Sequence, residues 1–190
     1  MIYVARHGKT DWNAAGKIQS RSDIPLNETG REQARALAAE IAGISIDVCY
    51  SSPLSRAMET CEIATGGKYD IIIDDRLIER NYGELEGTVA WDKVKECHTY
   101  DIKGYWNSAN ETLIKGTESL EQLRTRIFSF FDDVIRKHPN KNIFVVSHSG
   151  AIRMMRSYFG GVPAEGNYLS FGKTKNCELV TFDPGLIAKE

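Results

Sequence analysis

Short apolar runs and helical repeats alternate along the chain from its first residues to its last. The apolar runs predict five strands, because a strand buried on both faces of a sheet has few polar positions. The clearest run is Ile143 to Val146, where four apolar residues follow one another. The predicted strands are Ile2–Arg6, Val48–Ser51, Ile71–Ile73, 142–147 and 178–182.

Segments between these strands show a helical period or helix start and stop signals. In the segment 120–135, apolar residues recur at intervals of three and four, and the pattern ends near His138. Pro53 suits the first turn of another helix, and Thr29 with Glu32 predicts a capping box for a third. The predicted helices are 29–43, 54–64, 120–138 and 150–159, with a further candidate at 89–97.

The alternation of strands and helices predicts the fold class. It is typical of an α/β three-layer sandwich with a mostly parallel central sheet and helices on both faces. The chain of 190 residues is predicted to form a single domain, 1–190, in which the polar and aromatic segment 84–116 is a surface insertion, or lid. The loop after Arg6 has no helical period. Ligands of such sheets bind beyond the carboxyl ends of the strands, so the residues that follow each strand are the candidates for chemistry.

Composition narrows the classes of function. The formal net charge is −2, from 24 basic and 26 acidic residues without a run of like charge, so no nucleic acid and no membrane is expected as a partner. No apolar stretch approaches the roughly 20 residues that cross a bilayer, and no cleavable apolar leader is recognised. The four cysteines form no CxxC pair and are expected to be reduced, with Cys49 and Cys61 in the core. We expect a soluble, cytoplasmic protein.

Two arginines and two histidines follow three of the predicted strands. Arg6 and His7 come after the first strand, Arg56 shortly after the second, and His148 after the buried run. A phosphoryl group in transfer spreads negative charge over three oxygens, so it needs fixed cations around it and a nucleophile in line with the leaving oxygen. Arg56 would add the N-terminus of its helix. These residues predict a phosphoryl-transfer site at one edge of the sheet.

Each of these residues also has a purely structural interpretation. A single histidine is usually a satisfied polar residue, and Arg56 can pair with Glu59 on an exposed helix face. The prediction of a common site therefore depends on all four side chains projecting from the same edge. His98 in the insertion and His138 near a helix C-terminus are interpreted as structural.

At these residues the sequence resembles the histidine phosphatase superfamily, which includes the cofactor-dependent phosphoglycerate mutases. The resemblance covers nearly the whole chain and rests on five segments in the family's order, since the triplet RHG alone is weak. These segments are RHGKTDWNAAGKIQ, SSPLSRAMET, LIERNYGELEG, KGTESL and VVSHSGAIR. The resemblance implies a metal-independent phosphoric monoester hydrolase that needs no cofactor and acts on a small phosphorylated metabolite.

The resemblance also implies roles for individual residues. His7 becomes the nucleophile that forms a phosphohistidine, and nearby arginines would keep its imidazole neutral. Arg6, Arg56 and His148 would hold the transferring phosphoryl group. Glu79 becomes the general acid and then the general base, with a surface ion pair to Arg80 as its structural alternative. Further phosphate-binding or substrate-binding candidates are Asn13, Gln19, Ser149, Arg80 and Tyr82, with Lys9 at the mouth.

Three positions depart from the family's pattern. Lys9 stands where the family usually has Glu or Gln, Ser20 stands where a glycine often follows Gln19, and Asn81 stands where the mutases commonly have His. The change at Ser20 is expected to shift the backbone of the phosphate loop, and the change at Asn81 counts against mutase activity.

The length of the insertion bears on the reaction. Only 28 residues separate Gly87 from Gly116, and a short lid leaves a phosphoenzyme open to water, which favours hydrolysis over mutase transfer. A phosphoglycerate mutase and a non-catalytic phospholigand-binding module stay open as alternatives, whereas arginines at the site would repel the ion of a metal-dependent hydrolase. The substrate and the oligomeric state also stay open. Four aromatic residues of the insertion either face the substrate or pack: Trp91, Tyr100, Tyr105 and Trp106.

Overall fold

A computed structural model of the chain describes residues 1–89, 102–108, 111 and 114–187. Over these residues the strands are β1 (Ile2–Arg6), β2 (Val48–Ser51), β3 (Ile71–Ile73), β4 (Ile143–Ser147) and β5 (Leu179–Phe182). The α-helices are α1 (Asp11–Ala14), α2 (Glu28–Ile41), α3 (Ser55–Thr65), α4 (Ile102–Tyr105), α5 (Leu120–Lys137) and α6 (Ser149–Gly160). Short 3-10 turns at Asp75–Leu77, Gly83–Leu85, Ala164–Gly166, Tyr168–Phe171 and Pro184–Leu186 join them.

The strands form one sheet in the order β3-β2-β4-β1-β5. Strand β4 pairs in parallel with β1 and β2, and β2 pairs in parallel with β3. Strand β5 is antiparallel to β1, so its first residue lies beside the carboxyl end of β1. The prediction of an α/β fold with a mostly parallel sheet is confirmed.

Helices cover both faces of this sheet and bury strand β4 completely. Ile143 and Val145 contribute to the hydrophobic core under α5 and α6, whereas Phe144 and Val146 contribute to a second core under α2 and α3. All five residues of β4 are buried. The continuous apolar run in the sequence therefore has the expected cause, because both sets of alternating side chains face packed helices.

The helix ends show where the sequence signals were right and wrong. Helix α5 has a capping box between Ser119 and Gln122 and ends near His138, as predicted. Helix α2 instead begins at Glu28, because the side chain of Asn27 caps it by accepting from the Gly30 N–H, so the predicted capping box at Thr29 is wrong. Pro53 precedes the first turn of α3, whose N-cap is Leu54.

The loop after β1 contains a helix that the apolar pattern did not predict. Helix α1 is four residues long and buries none of them, so it leaves no apolar period in the sequence. A capping box holds it: the Thr10 hydroxyl accepts from the Asn13 N–H, and the Asn13 side chain accepts from the Thr10 N–H.

The described part of the segment 84–116 is not a surface insertion throughout. Tyr105, Trp106 and Ile114 are buried in the core under α5 and α6. The prediction is wrong for these residues, and the aromatic pair packs. The candidate helix 89–97 and Trp91, His98 and Tyr100 lie outside the described residues.

Three of the cysteines are described, and each is a free, buried thiol: Cys49, Cys61 and Cys177. Cys49 and Cys61 lie in the core between β2 and α3, as predicted. Within the described parts of the chain, no helix is both long and apolar enough to span a membrane.

Candidate active site

The carboxyl ends of β1, β2 and β4 bring the four predicted phosphate-binding residues together. His7 follows β1, Arg56 lies in the first turn of α3, and His148 follows β4. The two imidazole rings lie 5.1 Å apart, centroid to centroid. Both histidines and Arg56 are buried, and Arg6 is half-buried beside them. The site is therefore a concentrated positive centre in a chain of nearly balanced charge.

The hydrogen bonds of His7 fix its tautomer and hold its backbone. Its Nδ1 lies 2.7 Å from the carbonyl oxygen of Gly8. A carbonyl oxygen can only accept, so Nδ1 carries the proton and Nε2 keeps its lone pair. The backbone is held as well, because the His7 N–H donates to the Ser147 oxygen, the Gly8 N–H donates to the Thr60 hydroxyl, and the Asn176 amide donates to the His7 oxygen.

Burial and neighbouring arginines keep both histidines neutral. Burial is the main cause that lowers the pKa of His7 well below 6.5, and the charges of Arg6 and Arg56 lower it further, against the hydrogen bond to Gly8. The pKa of His148 is also well below 6.5, through burial first and then Arg56, His7 and Arg6. A neutral imidazole is the form that can attack phosphorus.

These shifts predict acid sensitivity of the fold. Below pH 6.5 the unfolded chain binds more protons than the folded protein, so the free energy of unfolding falls as pH drops and is constant above that value. Each histidine contributes a slope of up to about 1.4 kcal/mol per pH unit. Urea unfolding between pH 7.5 and 5 measures how the free energy of unfolding depends on pH. A His7→Gln variant should lose about half of this slope. Parallel curves for variant and wild type would contradict the neutral state of His7.

Arg56 is fully buried, and it is held by backbone carbonyl groups. Its two terminal nitrogens donate to the oxygens of Ser22, at 2.7 Å, and Ser20, at 3.0 Å. Its Nε has no hydrogen-bond partner among the described residues. Burial lowers the pKa of Arg56 to about 10, so it stays charged at neutral pH. The alternative of an exposed pair with Glu59 is wrong, because Glu59 pairs with Arg31 at 2.7 Å.

Arg6 and His148 resemble Arg56, because each has one side-chain nitrogen with a hydrogen-bond partner and another without a partner among the described residues. Arg6 donates from Nη1 to the Thr174 oxygen at 2.8 Å, and no partner for its Nε is found in the described part of the chain. The Nε2 of His148 lies 2.7 Å from the Ser52 hydroxyl, while its buried Nδ1 is likewise unpartnered there. Buried polar atoms without a partner are unusual and point to a polar ligand.

Glu79 meets the N-terminus of α6 beside this positive centre. Its Oε1 accepts from the N–H groups of Arg80, at 2.8 Å, and Ala151, at 3.2 Å, and its Oε2 accepts from the Gly150 N–H at 3.2 Å. The carboxyl group is buried, with 8% of the residue exposed. The alternative of a surface pair with Arg80 is wrong, since the Arg80 guanidinium pairs with Glu111.

Glycines at two positions allow the close approaches on which the site is built. A Cβ on Gly8 would lie 2.5 Å from the carbonyl oxygen of Gly30 at the start of α2. A Cβ on Gly150 would lie 2.5 Å from Oε1 of Glu79 and 2.9 Å from the hydroxyl of Tyr82. Side chains at these positions would push β1 away from α2 and the carboxyl group away from α6.

The other candidates line the site in different ways. Gln19 is buried and accepts from the Thr10 hydroxyl at 2.9 Å, which leaves its amide N–H groups as donors. Asn13 accepts through its oxygen from Thr10 and Asn176. Ser149 begins α6 and so presents a free helical N–H of the kind that binds anions.

Tyr82 and Ser20 contact each other. Burial raises the pKa of Tyr82, so its hydroxyl next to Gly150 remains a donor. Ser20 has a φ of 50°, in the left-handed region where glycine is favoured, and its hydroxyl accepts from the Tyr82 N–H at 3.0 Å. Serine therefore adopts here the conformation typical of a glycine.

Arg80 does not line the site, contrary to the prediction. It is fully buried, donates to Glu118 O, Tyr105 O and Glu111 Oε1 at 2.7 to 3.0 Å, and stacks on the rings of Tyr105 and Trp106. These contacts occupy its guanidinium, so Arg80 joins separate loops. Lys9 is half-buried, and its N–H donates to the Gln33 side chain.

Some site residues were missed in the sequence. Ser52 follows β2 directly, so the strand-end rule could have found it. Asn176 precedes β5, and no rule for parallel strands would point to the start of an antiparallel one. Arg153 lies one turn into α6, with 6% of the residue exposed; it donates to Gly172 O and stacks on Trp106. It is the last residue of VVSHSGAIR, which was the available signal.

Comparisons with known proteins show the family of this chain. The family model of the histidine phosphatase superfamily (branch 1) matches residues 2–185. Phosphoserine phosphatase 1 of Hydrogenobacter thermophilus is 33% identical over 90% of this chain and 81% of its own length. The probable phosphoglycerate mutase GpmB of an Enterobacter species is 30% identical over 96% of this chain and 84% of its own length.

A solved structure shares the fold of this chain. The phosphoserine phosphatase of Entamoeba histolytica, in complex with 3-phosphoglyceric acid, superposes with a TM-score of 0.79 and 26% identity over 94% of this chain and 87% of that chain. The chain belongs to the histidine phosphatase superfamily, and it is an enzyme that hydrolyses phosphate monoesters.

Proposed function

We propose that the chain hydrolyses a small phosphorylated metabolite through a phosphohistidine on His7. The observation that carries this proposal is the tautomer of His7, whose Nδ1 donates to the Gly8 oxygen and leaves Nε2 as the nucleophile. Arg6 and Arg56 place positive charge near this ring, and Arg6, Arg56 and His148 each have a buried nitrogen without a partner among the described residues. Such groups stabilise the charge that builds up on a phosphoryl group during transfer.

The reaction has two steps. In the first, Nε2 of His7 forms a bond to phosphorus as the bond to the leaving oxygen breaks, and the Glu79 carboxyl group gives its proton to that oxygen. In the second, water attacks the phosphohistidine and gives a proton to Glu79, the N–P bond breaks, and inorganic phosphate leaves. The position of Glu79 supports these roles, because its carboxyl group is buried and interacts electrostatically with Arg6, Arg56 and Tyr82.

The names of the relatives support a substrate with a second anionic group. Phosphoserine and phosphoglycerate, the compounds in those names, both carry a carboxylate. Arg153 interacts electrostatically with Tyr82 and Glu79. Its Nε and Nη2 are held by Gly172, and within the described residues its Nη1 has no hydrogen-bond partner. A carboxylate on the leaving group suits that nitrogen.

Labelling with a ³²P-phosphomonoester tests the proposal. A rapid quench should trap a phosphoenzyme that is stable in base and labile in acid, and phosphate should appear from phosphoserine and phosphoglycerate in the presence of a chelator. Phosphate release that a chelator abolishes, or turnover without a phosphoenzyme, would contradict the proposal.

Phosphoglycerate mutase activity is a second candidate, because GpmB is among the relatives. The mutase reaction returns the phosphoryl group to another oxygen of phosphoglycerate. Asn81 speaks against it: this residue, where the mutases commonly have His, accepts from the Gly83 N–H and shapes a turn. Labelled phosphoglycerate decides the question, since a mutase moves the label between carbons and a phosphatase releases it into solution.

A further inference from the structure

Glu118 and Arg126 form a buried ion pair behind the loop that carries Glu79. Arg126 donates from Nε to Glu118 Oε1 at 2.6 Å and from Nη2 to Oε2 at 2.9 Å. Only 8% of Glu118 is exposed. Burial alone would raise the pKa of Glu118, but the hydrogen bonds and charge of Arg126 outweigh it and hold that pKa below its usual value. The pair is therefore a fixed, doubly bonded unit.

This pair contacts the backbone of the Glu79 loop both before and after Glu79 in the chain. Before Glu79, the Nη1 of Arg126 donates to the carbonyl oxygens of Arg76, at 2.6 Å, and Ile78, at 2.7 Å. After Glu79, the Asn81 N–H donates to Glu118 Oε2 at 3.2 Å. The backbone is thus tied on both sides of the proposed proton donor.

A second arginine connects the pair to Glu79 itself. Arg21 lies 3.3 Å from Glu118 Oε2 through Nη2, and its Nε donates to the Glu79 carbonyl oxygen at 3.4 Å. Its side chain is 40% exposed, so it is the solvent-facing end of the network.

The loop needs such support because it lacks regular structure. The 3-10 turn Asp75–Leu77 ends at Leu77 and the next turn begins at Gly83, so the residues between them lie in no helix or strand, and their regular pairing is limited to a single bridge from Tyr82 to Thr117. A proton donor works only within a few tenths of an ångström of its productive position. The Glu79 carboxyl group is held by three backbone N–H groups, and the Glu118 N–H donates to the Asn81 oxygen at 3.0 Å. The side-chain bonds of Arg126, Glu118 and Arg21 to the loop backbone add to this alignment.

We infer that Glu118 and Arg126, completed by Arg21, are positioning residues that hold Glu79 in place for proton transfer. This inference rests on the proposed function of Glu79 as general acid. It assigns a role in catalysis to the segment KGTESL. Within the described residues, Glu118 of this segment contacts neither of the two site histidines and neither of the phosphate-binding arginines.

The inference predicts a defect that depends on the leaving group. An alkyl phosphate releases a basic alkoxide that needs a proton, whereas p-nitrophenyl phosphate releases a stable anion that does not. The ratio kcat/KM covers the steps up to formation of the phosphoenzyme. Misplacement of Glu79 should therefore lower kcat/KM for the alkyl ester and largely spare the aryl ester.

The test compares both esters in Glu118→Gln and Arg21→Ala. In Glu118→Gln we expect kcat/KM for phosphoserine to fall about 10- to 100-fold more than for p-nitrophenyl phosphate. In Arg21→Ala the same selective loss should be smaller. If thermal unfolding shows that Glu118→Gln does not fold, the partly exposed Arg21 decides the inference by the same comparison. Equal losses on both esters in the folded variant would overturn it.

Matched variants separate this inference from the proposed function. Asp47→Asn removes a carboxylate at the opposite end of the sheet, where it pairs with Lys141 and accepts from the Asn142 N–H. This substitution should change kcat/KM only slightly, and by the same factor for both esters. Glu79→Gln should show the largest selectivity of all. If Glu79→Gln is not selective, the proposed general acid fails; if only Glu118→Gln and Arg21→Ala are not selective, the positioning role alone fails.

Discussion

Replacing His7 with alanine is expected to abolish turnover, with kcat lower by about 10⁴-fold or more. In the proposed mechanism, Nε2 of His7 is the atom that accepts the phosphoryl group. His148, 5.1 Å away between ring centroids, has its own Nε2 bonded to Ser52. The phosphate-binding arginines would remain, so the variant should still bind inorganic phosphate. Phosphate release and rapid-quench labelling measure the two consequences.

His138→Ala is the matched control for this variant. His138 lies at the end of α5 and bonds to the Tyr50 hydroxyl at 2.9 Å, outside the site. The His138→Ala variant should keep wild-type kcat and form a normal phosphoenzyme. Unchanged turnover or labelling in His7→Ala would refute the phosphohistidine mechanism.

Replacing Glu79 with glutamine should cost about 10²- to 10⁴-fold in kcat/KM for an alkyl phosphate. The amide cannot supply the proton, and its NH₂ group would face an N–H of Arg80, Gly150 or Ala151, all of which now donate to the carboxyl oxygens. The loss on p-nitrophenyl phosphate should be much smaller. Steady-state kinetics with both esters provide the measurement.

The control for this substitution is Glu59→Gln on α3. Glu59 pairs with the partly exposed Arg31, so the same change of carboxylate to amide should leave the ratio of kcat/KM for the two esters unchanged. A loss in Glu79→Gln that is equal for both esters would show that Glu79 does not donate the proton.

Local pattern was enough to predict the strands and the principal site residues. β1, β2 and β3 have the predicted bounds, because apolar runs and flanking turn residues are properties of a few neighbouring residues. The strand-end rule then placed His7, Arg56 and His148 together, since parallel strands bring their carboxyl ends to one edge.

Helix boundaries were less predictable, because several capping schemes were available in the same sequence. Thr29 with Glu32 was a valid signal, yet Asn27 caps α2, and packing decides between them: Gly30 in the first turn lies against Lys9, leaving no room for a Cβ, which would be 2.1 Å from the Lys9 oxygen. Helix α1 depends on its caps, and it has no buried apolar face from which the sequence pattern could predict it.

The sequence by itself determined the sheet, the helices on both of its faces and the residues that gather at its carboxyl edge. Tertiary structure alone decided which polar side chains gather at the candidate site and which stabilise the scaffold. Arg80 and Glu79 are neighbours in the chain, but Arg80 packs on Tyr105 while Glu79 meets Gly150. Asn176 reaches His7 across 169 positions because β5 runs antiparallel to β1. Hydrogen-bond partners so far apart in the chain leave no periodic signal, so only the folded arrangement reveals them.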